Sequence, residues 1–294
     1  MRVFITGATG FIGAAVVDEL IGAGHQVIGL ARSDAGATQL AAAGAGVQRG
    51  SLEDLESLKR GARESDGVIH LAFIHDFANF AASCAKDATA IDVLGDALVG
   101  SNRPLVVSSG VLGLARGRAS TEDDVPSDAF PRKSEETALS FASKGVRASV
   151  IRLSPSVHGD GDHGFVPMLV NAARDKGFAS YVGDGKNRWP AVHRLDAARL
   201  YRLALEQGTA GGRYHGVAEE GVPIRDIAEM IGKRLRVPVV SKSAEEVTGA
   251  LGFIGQVLAM DVPSSSESTQ ERLGWRPTQP GLIADLESGA YFES

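Results

Sequence analysis

The chain has 294 residues with 36 acidic and 30 basic side chains, a formal charge of -6. That balance, with no Lys/Arg run, excludes a surface built to neutralise nucleic-acid phosphates, and 44% apolar residues exclude a disordered chain. The single cysteine, Cys84, closes no intramolecular disulfide, so the fold rests on its buried core and a reducing, cytoplasmic setting is expected.

Glycine is in excess, with 36 residues and no three-residue period, so it needs a local explanation. Strand-like residues begin at Arg2, so no leader segment is expected. Apolar stretches such as Phe11 to Val17 fall well short of the roughly 20 residues that cross a bilayer, so no membrane partner is expected.

Up to residue 155, short apolar runs alternate with amphipathic ones. Arg2 to Thr6 predicts the first strand. Thr6-Gly7-Ala8-Thr9-Gly10-Phe11-Ile12-Gly13 then opens a helix over Phe11 to Ala23. In that position Gly7 supplies a tight turn, Gly10 lets backbone approach a pyrophosphate, and Gly13 lets the helix pack closely on the sheet. The helix N-terminus adds unpaired N–H groups and partial positive charge, with Thr9, Phe11 and Ile12 in the same cradle.

Gln26 to Ala31 predicts the second strand, and Ala31 stands where an NAD-preferring site places an acid. Arg32 and Ser33 follow it, a guanidinium and a hydroxyl suited to a 2'-phosphate, which favours NADP(H). The other reading leaves Arg32 solvated and puts Asp34 on the ribose. A helix over Ala35 to Ala43, a strand over Val47 to Arg49 and a helix over Asp54 to Arg60 come next. Gly67 to Ala72 is apolar on both pleat faces, as in a parallel sheet covered by helices on each side.

The alanine-rich stretch Asp76 to Val99 predicts a long helix that carries Cys84 as a small buried residue. Leu105 to Ser108 predicts a strand, Ser120 to Asp124 a solvated loop, Ser134 to Ser143 a helix, and Ala148 to Leu153 a strand ending before Ser154. The pattern is α/β, a doubly wound parallel sheet.

After Pro155 the rhythm changes, with helices expected over Phe165 to Arg174, Asp196 to Leu205, Arg225 to Leu235 and Ser266 to Leu273. The expected division is a dinucleotide-binding domain over 1–155, to which later segments can add strands, and a smaller substrate-binding region over 156–294. His158, Asp160, Asp162 and His163 invite a metal reading, but their spacing lacks the regularity of zinc or calcium sites, and no metal is expected. Asn187-Arg188-Trp189-Pro190 reads as a clamp for an anionic or planar substrate, with His163 beside it. Alternatively Trp189 is core and Arg188 is surface.

These motifs resemble the extended short-chain dehydrogenase/reductases, the family that includes sugar-nucleotide epimerases and dehydratases. Val106-Val107-Ser108-Ser109, Ile151-Arg152 with Val157-His158-Gly159, Gly183-Asp184-Gly185, Trp189 to Asp196, and Leu273-Gly274-Trp275-Arg276-Pro277 extend the likeness along nearly the whole chain. The resemblance implies a Rossmann fold with adenine near Ser51-Leu52, Leu71-Ala72-Phe73 beneath the ribose and pyrophosphate, and Ser154 beside the cofactor. It implies a substrate-polarising hydroxyl at Ser108 or Ser109, and a Tyr-x-x-x-Lys pair on the next helix. It also implies a homodimer through helices Asp76 to Val99 and Ser134 to Ser143, although burial within one chain explains those helices as well.

Here the sequence departs from the family, because the first tyrosine is Tyr181 and Pro131 and Glu135 stand in place of the pair. The chain therefore resembles the atypical branch that keeps the nucleotide site and loses the tyrosine. His158, at the position of the family's Val-Tyr-Gly tyrosine, is then the expected proton donor, since imidazole titrates near neutrality. The other reading is a loop histidine that bonds backbone. The expected activity is NADP(H)-dependent reduction of a carbonyl or other polarised double bond on a small organic substrate. The rivals are an NADP(H)-responsive binding protein without catalysis and an epimerase or dehydratase acting on a sugar-like substrate.

Overall fold

The computed structural model describes all residues except 77, 78, 116, 128–130, 289, 290, 293 and 294. Its first strand, β1 (Arg2–Thr6), buries Val3, Phe4 and Ile5 completely, because neither face of a doubly covered parallel sheet meets water. In chain order there follow α1 (Phe11–Gly22), β2 (Gln26–Ala31), α2 (Asp34–Ala42), β3 (Gly46–Arg49), α3 (Leu55–Arg63), β4 (Gly67–His70) and α4 (Phe80–Asp96). Then come β5 (Pro104–Gly110), α5 (Ser134–Ser140), β6 (Arg147–Leu153), β7 (Ser156–His158), α6 (Phe165–Lys176), β8 (Ala179–Val182) and β9 (Arg188–His193). The chain finishes with α7 (Arg194–Gln207), β10 (Gly212–Gly216), β11 (Glu219–Pro223), α8 (Ile224–Leu235), β12 (Val239–Lys242), α9 (Ala244–Leu251), α10 (Phe253–Leu258), α11 (Glu267–Leu273) and α12 (Leu282–Ser288).

Seven strands form one parallel sheet in the order β10-β6-β5-β4-β1-β2-β3. The chain winds outward from β1 to β3, returns to β4 and winds the other way, which opens a crevice at the carboxyl ends of β1 and β4. The pleat sorts alternate residues into two cores. Val3, Ile5, Ile69, Val106 and Ile151 pack with α1 and α7, while Phe4, Val68, Leu105, Val107 and Val150 pack with α3, α4 and α5.

Two helix boundaries differ from expectation. The expected helix over Asp76 to Val99 is α4, shorter at both ends, and residues 77 and 78 of that span lie outside the described residues. The span Ser134 to Ser143 divides: α5 ends at Ser140, and Ala142–Lys144 tightens into a 3-10 turn before Gly145 at φ +74°.

The later half contributes to the sheet. β10 pairs with β6, α7 lies against α1, and Trp275 joins the same core with its Nε1 donating to the Asp196 carbonyl at 3.0 Å. What remains forms a smaller region around a third core. Trp189, α6, α8, α9, α10 and α12 surround it, with a three-stranded sheet β11-β9-β7 and a parallel pair β12-β8. No helix among the described residues is long and apolar enough to cross a membrane.

Candidate cofactor and active site

The turn between β1 and α1 is built around absent side chains. Gly7 has φ +71°, and a Cβ there would stand 2.7 Å from the Ala72 nitrogen. A Cβ on Gly13 would stand 2.0 Å from the Gly7 carbonyl oxygen. Gly10 differs: it is the N-cap of α1, no side chain caps it, and a Cβ there would meet only the Gly7 oxygen, at 3.3 Å. Its outer side is open, and the first N–H groups of α1 face that space as an anion site.

Thr9 offers its carbonyl to Gln39 Nε2 at 3.4 Å, and Ile12 packs onto the core below. Phe11 meets the ring of His163 edge-on at 5.8 Å, and the Arg194 guanidinium lies 5.3 Å from the Phe11 ring. The segment 159–163 is thereby held beside the start of α1. Tyr291 fixes it from the far side, accepting from the Gly159 nitrogen and donating to Asp162.

At the ends of β2 and β3, Ala31, Arg32, Arg49, Gly50, Ser51 and Asp54 line a cavity of about 330 Å³. Ser33 is the N-cap of α2, its Oγ accepting from the Gly36 nitrogen at 3.2 Å. Ser51 Oγ accepts from the Glu53 nitrogen, and Leu52 turns toward the core of α3 and α4. Asp34, the alternative ribose ligand, pairs its carboxylate with Arg49. Arg32 is exposed and takes no partner among the described residues. Two guanidiniums, the Ser51 hydroxyl and the Asp54 carboxylate border this cavity, with Asp54 Oδ1 accepting from the Ser57 nitrogen at the start of α3. Leu71, Ala72 and Phe73 leave β4 beside this loop, with Leu71 N donating to the Thr6 carbonyl and Ala72 N to Thr6 Oγ1.

Several expected site residues are engaged elsewhere. Ser108, one of the two expected substrate-polarising hydroxyls, is buried, donating from Oγ to the His70 carbonyl at 2.9 Å and sharing a 2.7 Å hydrogen bond with the Tyr201 hydroxyl. Tyr201 offers no substitute for the missing tyrosine, since complete burial pushes its phenol well above the ordinary value. Ser109 lies on the opposite pleat face, is half-buried, and its hydroxyl takes no partner among the described residues. Ser154, expected beside the cofactor, is buried and donates to the Gly216 carbonyl at 2.8 Å, tying β6 to β10.

Trp189 is fully buried in the third core with Nε1 donating to the Val257 carbonyl, and Arg188 is held by Asp261. Both sit at the amino end of β9. At ~3.3 Å per residue, that is about 16 Å from its carboxyl end at His193. Arg188 and Trp189 thus tie β9 to α10 and the segment after it, the arrangement of the second reading of these two residues, with Trp189 as core and Arg188 at the surface.

His158 is 1% exposed, bonded through Nδ1 to the Asp285 carboxylate at 2.8 Å, with its ring edge-on to His193. It bolts β7 to α12 and does not open to the crevice. His158→Gln is expected to cost about 1–3 kcal/mol in thermal unfolding while leaving cofactor binding intact. Loss of turnover without loss of stability would instead reinstate it as a proton donor.

A buried polar chain runs where composition suggested only packing. Thr6 Oγ1 and His70 Nδ1 share a 2.8 Å hydrogen bond, and His70 Nε2 meets Asp87 Oδ1 at 3.2 Å. Ser134 Oγ donates to Asp87 Oδ2, and Arg132 Nε donates to Ser134 Oγ at 2.8 Å. Burial alone would raise the Asp87 carboxyl, but the bond and charge from His70, with Arg132 and Ser134, bring it below its ordinary value. The signal for Asp87 lies in its spacing: it falls on the buried stripe of α4 with Ser83, Cys84, Ala90, Ile91 and Leu94.

A model of the NAD dependent epimerase/dehydratase family matches residues 3–216. An uncharacterized protein of Schizosaccharomyces pombe is 54% identical over 295 residues, covering 99% of this chain and 100% of that protein. A 4-hydroxy-2-methyl-3-oxo-4-farnesyl-3,4-dihydroquinoline-1-oxide ketoreductase of Stigmatella aurantiaca is 28% identical over 238 residues, 76% of this chain and 70% of that protein. Among solved structures, the dTDP-glucose 4,6-dehydratase DesIV of Streptomyces venezuelae, with NAD bound, superposes with a TM-score of 0.79. The match has 21% identity over 98% of this chain and 97% of that one, a likeness of fold.

Proposed function

The chain belongs to the NAD dependent epimerase/dehydratase family, whose members use NAD(P), and from that premise we propose that it binds NADP(H) and reduces a carbonyl or similarly polarised double bond on a small organic substrate. The observation that carries this reading is Arg32, which takes no partner among the described residues, beside Arg49 and Ser51 around the cavity at the ends of β2 and β3. The turn at Gly7, Gly10 and Gly13 with the N-terminus of α1 would take the pyrophosphate. Arg32 and Arg49 would take the 2'-phosphate, Ser51 and Leu52 the adenine, and Leu71 to Phe73 would support the ribose. The nicotinamide, when bound, supplies hydride. Ser109 is the hydroxyl free to orient a carbonyl oxygen, and holding the reactants in register accounts for much of the rate such a site can deliver. A relative that is a ketoreductase supports carbonyl reduction as the reaction class.

Titration with NADPH and NADH tests the cofactor. Arg32→Ala should weaken NADPH binding about 10- to 100-fold, the worth of a charge-assisted contact, and leave NADH nearly unchanged. Equal shifts for both would overturn the phosphate assignment. NADPH oxidation across aldehydes, ketones, quinones and enones tests the reaction. The absence of the Tyr-x-x-x-Lys pair and the burial of Ser108 and His158 favour one rival, an NADP(H)-responsive binding protein. Tight NADPH binding with no oxidation of it by any of these would select that rival.

A further inference from the structure

Arg132 stands just before α5, half-buried at the carboxyl end of β5. Its Nη2 donates to the Ser108 carbonyl at 3.0 Å, its Nε to Ser134 Oγ at 2.8 Å, and its guanidinium lies 4.4 Å over the Phe73 ring. Those bonds fix its plane while leaving Nη1 without a partner among the described residues. No carboxylate among the described residues forms an ion pair with it either. Asp87 is reached only through Ser134, and both oxygens of Asp87 are taken. Its charge acts on Asp87 without touching it, so the half-buried guanidinium keeps donor capacity for a further anion, and five buried or half-buried residues hold it in place. Thr6, His70, Asp87 and Ser134 anchor the chain of bonds to β1, next to the glycine turn, while Phe73 supplies the ring face.

The surroundings define the shape of what would complete it. Phe73 meets His75 edge-on at 5.2 Å and Phe80 at 6.0 Å, and Phe80 meets Phe253 of α10 at 6.2 Å. An aromatic wall therefore runs from the sheet edge to the smaller region, with Arg132 at its inner end. Ser109 lies on the face of β5 shared with Leu105 and Val107, the side on which α4 and α5 pack. Burial, with the positive charges of Arg132 and His163, pushes the His75 imidazole below its ordinary value, so His75 adds a ring to this wall and no second cation.

We propose that Arg132 is the substrate-recognition residue of this site, taking the carboxylate of a planar, conjugated oxo acid whose flat body lies along Phe73, Phe80 and Phe253. This rests on the reading of the site as a carbonyl reductase and adds the substrate class to it. The Ser134–Asp87–His70–Thr6 chain positions the guanidinium, so that the incoming anion meets a fork already oriented.

The test is binding of cinnamate, a flat carboxylate with no carbonyl to reduce, to the NADP⁺-loaded protein by titration calorimetry, with cinnamamide as the neutral isostere. The wild type should bind cinnamate and should bind cinnamamide at least tenfold more weakly. Arg132→Gln should lower cinnamate affinity about 10- to 100-fold and leave cinnamamide unchanged. Arg132→Lys should restore part of the loss, and unchanged NADP⁺ affinity in both variants certifies their folding. Phe73→Leu, which keeps the charge, should weaken both ligands alike. No cinnamate binding by the wild type, equal binding of acid and amide, or an unchanged Arg132→Gln would each overturn the proposal. Parallel loss of NADP⁺ affinity in a folded Arg132→Gln would overturn it by moving the residue to the cofactor. None of these outcomes depends on turnover, so failure of the reductase reading shows separately, as wild-type protein that binds cinnamate but oxidises no NADPH with any oxo acid.

Discussion

Arg152→Ala is expected to destabilise the protein by about 3–5 kcal/mol at neutral pH, a large share of the stability of an ordinary domain, because it leaves a buried carboxylate without its main partner. Arg152 is fully buried at the carboxyl end of β6. It donates from Nε and Nη2 to both oxygens of Glu135 at 2.8 and 2.7 Å, from Nη2 to the Asp124 carbonyl at 2.7 Å, and from Nη1 to the Glu122 carbonyl at 3.3 Å. One side chain thus joins α5, the loop before it and the sheet. Burial alone would raise the Glu135 carboxyl, but Arg152, with help from Arg213, holds it below its ordinary value. A carboxyl depressed in the folded state stabilises that state above its unfolded value, near 4.5. The stability is lost as pH falls through the folded value. Without Arg152, burial dominates and protonation of Glu135 relieves the strain, so the stability gap between wild type and Arg152→Ala should narrow as pH drops from 7 toward 5. Urea unfolding at both pH values measures it. A gap that stays constant would assign the loss to the Asp124 and Glu122 carbonyls and not to the stranded charge.

The nucleotide turn was legible because its signals are local: glycine spacing, the strand before it and the helix after it lie within a dozen residues, and each glycine's role follows from its immediate neighbours. Arg32 was legible for the same reason, since the end of β2 fixes which residue borders the cavity.

The buried polar chain behind the nucleotide turn was not, because it is assembled from contacts far apart in sequence. Thr6 to His70 spans 64 positions, His70 to Asp87 spans 17, and Asp87 to Ser134 spans 47. Arg132 lies between Pro131 and Glu135, which stand in place of the family's Tyr-x-x-x-Lys pair, and no local spacing marks it as part of that chain. Glu135 then proved a structural anion. Trp189 shows the converse: an aromatic next to an arginine reads equally as a ligand clamp or as core, and which face the ring takes depends on α6, α8 and α10, whose packing no local pattern specifies. The later half returned α7 and β10 to the main sheet for a similar reason, pairing β10 with β6 across some sixty positions.

Gly13→Ala should abolish measurable cofactor binding, weakening NADPH at least 100-fold, and should also cost about 1–3 kcal/mol of stability through overpacking. A Cβ at this position would stand 2.0 Å from the Gly7 oxygen and 2.8 Å from the Gly7 carbonyl carbon, and both obstacles are backbone, which cannot rotate aside as a flexible side chain would. Two escapes exist. Either α1 moves off the sheet, which pulls Val16, Val17 and Leu20 out of the core, or the turn opens at Gly7, whose φ of +71° and contact with Ala72 leave little room to move. Both routes displace the N–H groups that would meet the pyrophosphate. Gly10→Ala is the informative partner. Gly10 has φ -77°, which any residue adopts, and an added Cβ would meet only the Gly7 oxygen at 3.3 Å, so the fold should hold within about 0.5 kcal/mol. Its open side is where the phosphate must approach, so binding should still weaken by tenfold or more. Calorimetry for stability and NADPH titration for binding separate the two variants. Wild-type affinity in Gly10→Ala would place the pyrophosphate elsewhere on the loop, and wild-type affinity in Gly13→Ala would refute the close packing of α1 against the turn as the basis of the cradle.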